Sequence, residues 1–171
     1  MNSRRKRSRS YGCAALLALA GALAGCGEGK HPFLMVQICL GDAESLATFT
    51  REMRIMARAE NMRFIEASAE TKADLAVIDS KGNTHELNGP VIHMAIEGGD
   101  GVGVDAGNLG LPGYQVALGF SEGSRPDEAR KFARTVVSRL ERHWRVAAVP
   151  PGVGAQPMRN CDTASDGAPS R

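Results

Sequence analysis

The chain has 171 residues, with 21 Lys and Arg against 19 Asp and Glu, and 43% of its residues are hydrophobic. The five basic residues Arg4, Arg5, Lys6, Arg7 and Arg9 all precede the first acidic one, Glu28, so residues 26 to 171 hold 16 basic and 19 acidic side chains, a net charge of −3. A mildly acidic body of this hydrophobicity excludes a strongly basic nucleic-acid-binding domain, a collagen-like chain and a wholly disordered one, and its length suits one ordinary globular domain.

The first segment is a basic stretch, Met1 to Ser10, followed by Tyr11 to Gly25, fifteen uncharged residues made almost wholly of Ala, Leu and Gly. A spanning helix needs about 20 apolar residues, and here Glu28 and Lys30 end the run early, so the segment reads as a signal peptide. Ser3-Arg4-Arg5 hints at twin-arginine export, but Lys6 and Arg7 replace the hydrophobic residues that should follow the pair, which leaves an ordinary basic start. The run closes on Leu23-Ala24-Gly25-Cys26. This tetrapeptide closely resembles the lipobox of bacterial lipoproteins, and the resemblance covers residues 1 to 26 only. It implies that Cys26 becomes thioether-linked to diacylglycerol, that the leader is removed and that the new amino terminus is acylated. Several acyl chains anchor stably where one does not, because each buried methylene contributes about 0.8 kcal/mol. Gly27, rather than Asp, follows the cysteine, which in enteric-type bacteria implies sorting to the outer membrane.

With Cys13 in the leader and Cys26 lipidated, two thiols remain, Cys39 and Cys161. In an oxidising periplasm a leftover pair in one domain is most simply a disulfide. The alternatives are a redox pair, for which no CxxC speaks, or two free thiols. A bridge across so long a loop constrains the unfolded chain by roughly 4 to 5 kcal/mol.

Gly27 to Pro32 forms a short polar tether reaching about 20 Å. Phe33 to Leu40 is then a nearly continuous apolar run, expected as a central strand with Leu34, Val36, Ile38 and Leu40 on one face. Asp42 is a plausible N-cap for an amphipathic helix to about Glu60, whose Leu46, Phe49, Met53 and Met56 recur at helical spacing. Arg51, Arg54 and Arg58 with Glu44, Glu52 and Glu60 read as its solvated side. Arg63 to Ala67 and Leu75 to Asp79 are short strand candidates, the second turning at Lys81-Gly82-Asn83 toward Thr84 to Leu87 as a hairpin. Val91 to Glu97 is a strand with Ile92, Met94 and Ile96 inward; Gly98 to Gly113 is a glycine-rich loop; Tyr114 to Phe120 alternates as another strand. Ser124 with Asp127 resembles a capping box, Pro126 suits a first turn, and Ala129, Phe132, Ala133, Val136, Val137 and Leu140 form the core stripe of a second helix. Trp144 to Val149 is a last strand before Pro150-Pro151 and a tail expected to be disordered past Cys161.

This order predicts an α+β fold over residues 33–149, a single sheet with both helices on one face, in a ferredoxin-like or related split βαβ arrangement. The opposite face would carry Gln37, Cys39, His93, Ala95, Gln115, Ala117 and Gly119, too small or polar for a deep core. We therefore expect Pro150 to Cys161 to lie across it, pinned by Cys161 to Cys39.

Three patterns touch chemistry. Gly119-Phe120-Ser121-Glu122-Gly123 matches G-x-S-x-G between a strand and a helix, as in a hydrolase nucleophile elbow. Yet Pro126 starts the helix late, and the one base that follows is His143, at that helix's far end. Gly101-x-Gly103-x-x-Ala106 is a degenerate dinucleotide fingerprint without a helix after it. His31, His85, His93 and His143 lack metal spacing; Met35, Met53, Met56 and Met94 fall at packing positions. No cofactor or metal is expected. The expectation is a lipid-anchored, non-enzymatic envelope protein acting through a protein partner, without nucleic acid. A small serine hydrolase using Ser121 and His143, or a ligand-binding module using the loop from Gly98 to Gly113, are the alternatives.

Overall fold

The computed structural model describes residues 32–79, 90–159 and 161. The leader, Cys26 and the expected hairpin around Lys81 to Leu87 lie outside the described residues. Among the described residues six strands form one sheet: β1 (Leu34–Cys39), β2 (Arg63–Glu66), β3 (His93–Glu97), β4 (Val102–Gly107), β5 (Gln115–Glu122) and β6 (Val146–Ala148). Three helices join them, α1 (Ala43–Ala59), α2 (Ser68–Asp79) and α3 (Pro126–Leu140).

The strand order is β2-β3-β4-β5-β1-β6 and every neighbouring pair is antiparallel. β1 and β2 consequently run in the same direction with three strands between them, and β5 and β6 do so with β1 between them. Both helical crossovers, through α1 and through α3, are split β-α-β connections. The class is α+β as expected. The sheet exceeds a four-stranded ferredoxin-like one because β3 and β4 stand between β2 and β5.

α1 and α3 cover one face. Asp42 caps α1 by accepting the Ser45 N–H at 2.7 Å, and Phe49, Met53 and Met56 turn inward into the same core as Val36 and Ile38 of β1. The expected stripe of α3 is buried at Ala129, Phe132, Ala133, Val136 and Leu140. Phe132 meets Phe120 of β5 edge-on, 6.5 Å between centroids. One feature departs from the solvated side expected for α1: Glu52 is 7% exposed and accepts a hydrogen bond from Arg139 Nε of α3, so this ion pair ties the two helices together. Pro126 opens α3, but the N-cap is Arg125 and no side chain caps it. Ser124 lies one residue before the N-cap and does not cap the helix; its N–H donates to Asp100 O, 3.0 Å away.

Two expectations are corrected. Leu75 to Asp79 is the end of α2, not a strand: Ala69, Glu70, Lys72 and Ala73 are good helix formers, Glu66 accepts the Ser68 N–H at 3.0 Å, and the apolar run simply continues the helix so nucleated. The glycine-rich segment is not a loop throughout. Its centre is β4, where Val102, Val104 and Ala106 alternate into the core. Gly103 is small there because a Cβ would stand 2.4 Å from Ile96 O of the neighbouring strand, the close approach that strand glycines permit.

Candidate functional site

Side chains alternate across a sheet, so the register that sends Val36, Leu118 and Val104 to the helices sends their neighbours to the other side. That back face carries Met35, Gln37 and Cys39 on β1, Gln115, Ala117 and Gly119 on β5, Asp105 and Gly107 on β4, and His93 on β3.

The half over β1 is occupied by the chain itself. After Val149 N–H donates to Met35 O at 2.9 Å, Pro150 and Pro151, which lack N–H groups, end the pairing. The chain then crosses the back face as a strap. Gln37 Nε2 donates to Gln156 O at 2.6 Å while Gln156 N donates to Gln37 Oε1 at 3.3 Å. Two residues on, Met158 N donates to Gln115 Oε1 at 2.6 Å and Gln115 Nε2 donates to Met158 O at 3.3 Å. Each glutamine thus closes a two-bond amide ring on the strap backbone, and both are buried, 4% and 1% exposed. Such pairing is what lets a neutral polar side chain be desolvated without a net penalty. Cys39 and Cys161 stand at disulfide distance, their Cα atoms 5.4 Å apart. The expected crossing of the back face by the segment from Pro150 to Cys161 is what the structure has.

The half over β3, β4 and β5 is open, and there the surface dips into a groove of about 280 Å³ lined by Met35, Ile92, His93, Asp105, Gly107, Leu109, Ala117 and Gly119. The dip has a sequence cause: its floor is Gly107, Ala117 and Gly119, none with more than a methyl group. At its polar end His93 Nδ1 lies 2.8 Å from Thr71 Oγ1 and His93 Nε2 lies 3.4 Å from Asp105 Oδ2. Ser68 Oγ holds the His93 backbone, accepting from its N–H at 3.0 Å. The start of α2 therefore fixes the imidazole, on the side of the sheet opposite α1 and α3. His93 belongs to this Thr71–His93–Asp105 row, apart from Gln37 and Gln115, which the strap covers. Met35 likewise lines the groove instead of filling the core, unlike Met53, Met56 and Met94, which are buried.

The other candidates are dispersed. Ser121 lies within β5, on the back face, opposite Gly103. α3 begins five residues later, so no helix N-terminus adjoins its hydroxyl. His143 follows the far end of α3, whose 15 residues span about 22 Å at 1.5 Å per residue; serine and histidine are not brought together. His93 is no nearer, since Ser121 aligns through Gly103 with Glu97, four residues and two strands from His93, about 16 Å by strand geometry. Gly101, Gly103 and Ala106 of the dinucleotide-like pattern run into β4, which leads to another strand and not to a helix. Among the described residues no three His, Cys, Asp or Glu side chains converge as metal ligands; His31 and His85 lie outside them. The chain matches no protein-family model and aligns significantly with no curated protein.

Proposed function

We propose that the protein is a lipid-anchored domain of a bacterial cell envelope, attached through Cys26 on the periplasmic side of the outer membrane, and that it works by non-covalent contact at the open half of its back face in an envelope assembly. One observation carries the reading. A tail 122 residues from Cys39 is fastened across the sheet by a cysteine pair, a design suited to an oxidising compartment and in keeping with the leader before Cys26. Lipidation would leave the whole protein surface free for a partner, since attachment to the bilayer would need none of it.

The test is replacement of Cys26 by Ser in growing cells, followed by fractionation and radiolabelled palmitate. Label and sedimentation with membranes should both be lost. Undiminished label with unchanged sedimentation would refute the anchor. Crosslinking in intact envelopes from a residue at the groove mouth, Leu109, should then capture a protein partner, whereas crosslinking from Arg134 on the exposed side of α3 should not.

A further inference from the structure

We infer that the back-face groove is a binding site for a small hydrophobic amine, its apolar body over Ala117 and Gly119 and its ammonium group against Asp105. This rests on the reading of that face as a binding surface and goes beyond it: the groove itself takes a small molecule, distinct from the protein that the surface around it would contact.

Three observations converge on that class. The first is charge. Asp105 is 67% exposed at the groove rim, and its polar partner among the described residues is His93 at the long distance of 3.4 Å. The other acid on the back face of β3 and β4, Glu97, is already paired with Arg63. Among the described residues Asp105 therefore has no Lys or Arg partner and only a long contact to the His93 ring; its exposed carboxylate is placed where a ligand would meet it, and it repels a carboxylate in the same position. The second is the apolar surface. Leu109 stands at the mouth with 58% of its surface in water, Met35 forms the facing wall, and the floor is bare of polar side chains, so burying a hydrocarbon or ring there removes apolar area from water on both partners. The third is size. At about 280 Å³ the groove falls just under the roughly 300 to 1,000 Å³ of sites that bury a drug-sized ligand. Its occupant is accordingly of the dimensions of one ring or a short chain with its amine.

The geometry also supplies a substitution that fills the site while sparing the fold. A Cβ at Gly119 would meet nothing closer than Pro32 Cβ at 3.4 Å, an ordinary contact, and would project onto the groove floor.

The test uses the full chain in detergent micelles and follows the methyl resonances of Met35 and Ala117 by NMR during titration with 2-phenylethylamine, 3-phenylpropionate and 2-phenylethanol. The three probes share the aromatic body and differ in charge. The amine should shift both resonances saturably, with a midpoint about five-fold below those of the acid and the alcohol, the size expected of one partly solvated ion pair. Asp105→Asn should erase the preference, and Gly119→Ala should raise the amine midpoint several-fold while leaving the rest of the spectrum in place. No saturable shift with the amine, an equal midpoint for the acid or the alcohol, or a preference that survives Asp105→Asn each overturns the assignment. None of these results touches the anchor: a failed titration leaves Cys26 labelling intact, and loss of the anchor leaves the titration intact.

Discussion

Replacing both Cys39 and Cys161 by Ala should reveal how much of the stability comes from the bridge. The two residues are 122 positions apart, and closing a loop of that length removes about 16 cal/mol/K from the unfolded ensemble, or about 5 kcal/mol at 25 °C. For a domain of this size each kcal/mol moves Tm by about 4 °C, so the double variant should melt about 20 °C lower. The strap contacts to Gln37 and Gln115 remain available in the variant, so the loss should come chiefly from a looser unfolded chain, and the urea m-value should rise as that chain exposes more surface. The assay is urea and thermal unfolding by circular dichroism, with the parent protein under strong dithiol reduction as a second measurement that should reproduce the variant. A loss below about 1 kcal/mol, with an unchanged m-value, would refute the loop-closure account.

Other consequences can be measured on the same footing. Arg139→Met should cost about 3 to 5 kcal/mol in urea unfolding, because it leaves the Glu52 carboxylate buried without its partner, and adding Glu52→Leu should restore most of that loss. Gly123 has φ +58° and a Cβ there would stand 2.1 Å from Asp100 O, whereas Gly110, at φ +78°, would meet nothing; Gly123→Ala should therefore destabilise by more than the roughly 1 kcal/mol expected of Gly110→Ala. Gln115→Leu removes both bonds to Met158 and should open the strap to limited proteolysis near Gly154 while the disulfide keeps the fragments joined. Asp42 is held below its ordinary value of 3.8, chiefly by the Ser45 N–H. Its contribution to stability is full above pH 3.8, falls away as pH drops through the lower folded value, and should be absent in Asp42→Asn, as comparison of acid unfolding curves would show.

Strong periodicity made most of the frame legible. The alternation from Phe33 and the 3.6-residue stripes of α1 and α3 each reflect a single buried face, and burial of that face is what the sequence records most directly. The covering strap was legible for the converse reason, since Gln37, Cys39, Gln115 and Ala117 cannot make a core of their own. β4 was hidden because Gly103 and Gly107 serve the close approach of β3 and β4 and so read locally as turn residues. Missing β4 also hid the groove, because only its register sets Asp105 beside His93. α2 was obscured by Leu75 to Ile78, an apolar run whose conformation is decided by the helix-forming residues before it. The G-x-S-x-G match has a packing origin at its last position: Gly123 is needed where the backbone of Asp100 to Val102 crosses it.

The place of β1 bears on when this protein can fold. The first strand of the sheet is flanked by β5 and β6, so neither of its neighbours exists until residue 115 has been synthesised, and the second waits for residue 146. A sheet closed by such distant partners forms slowly. Until those partners have been made the leading strand has nothing to pair with, so the centre of the sheet cannot close while the chain is still growing.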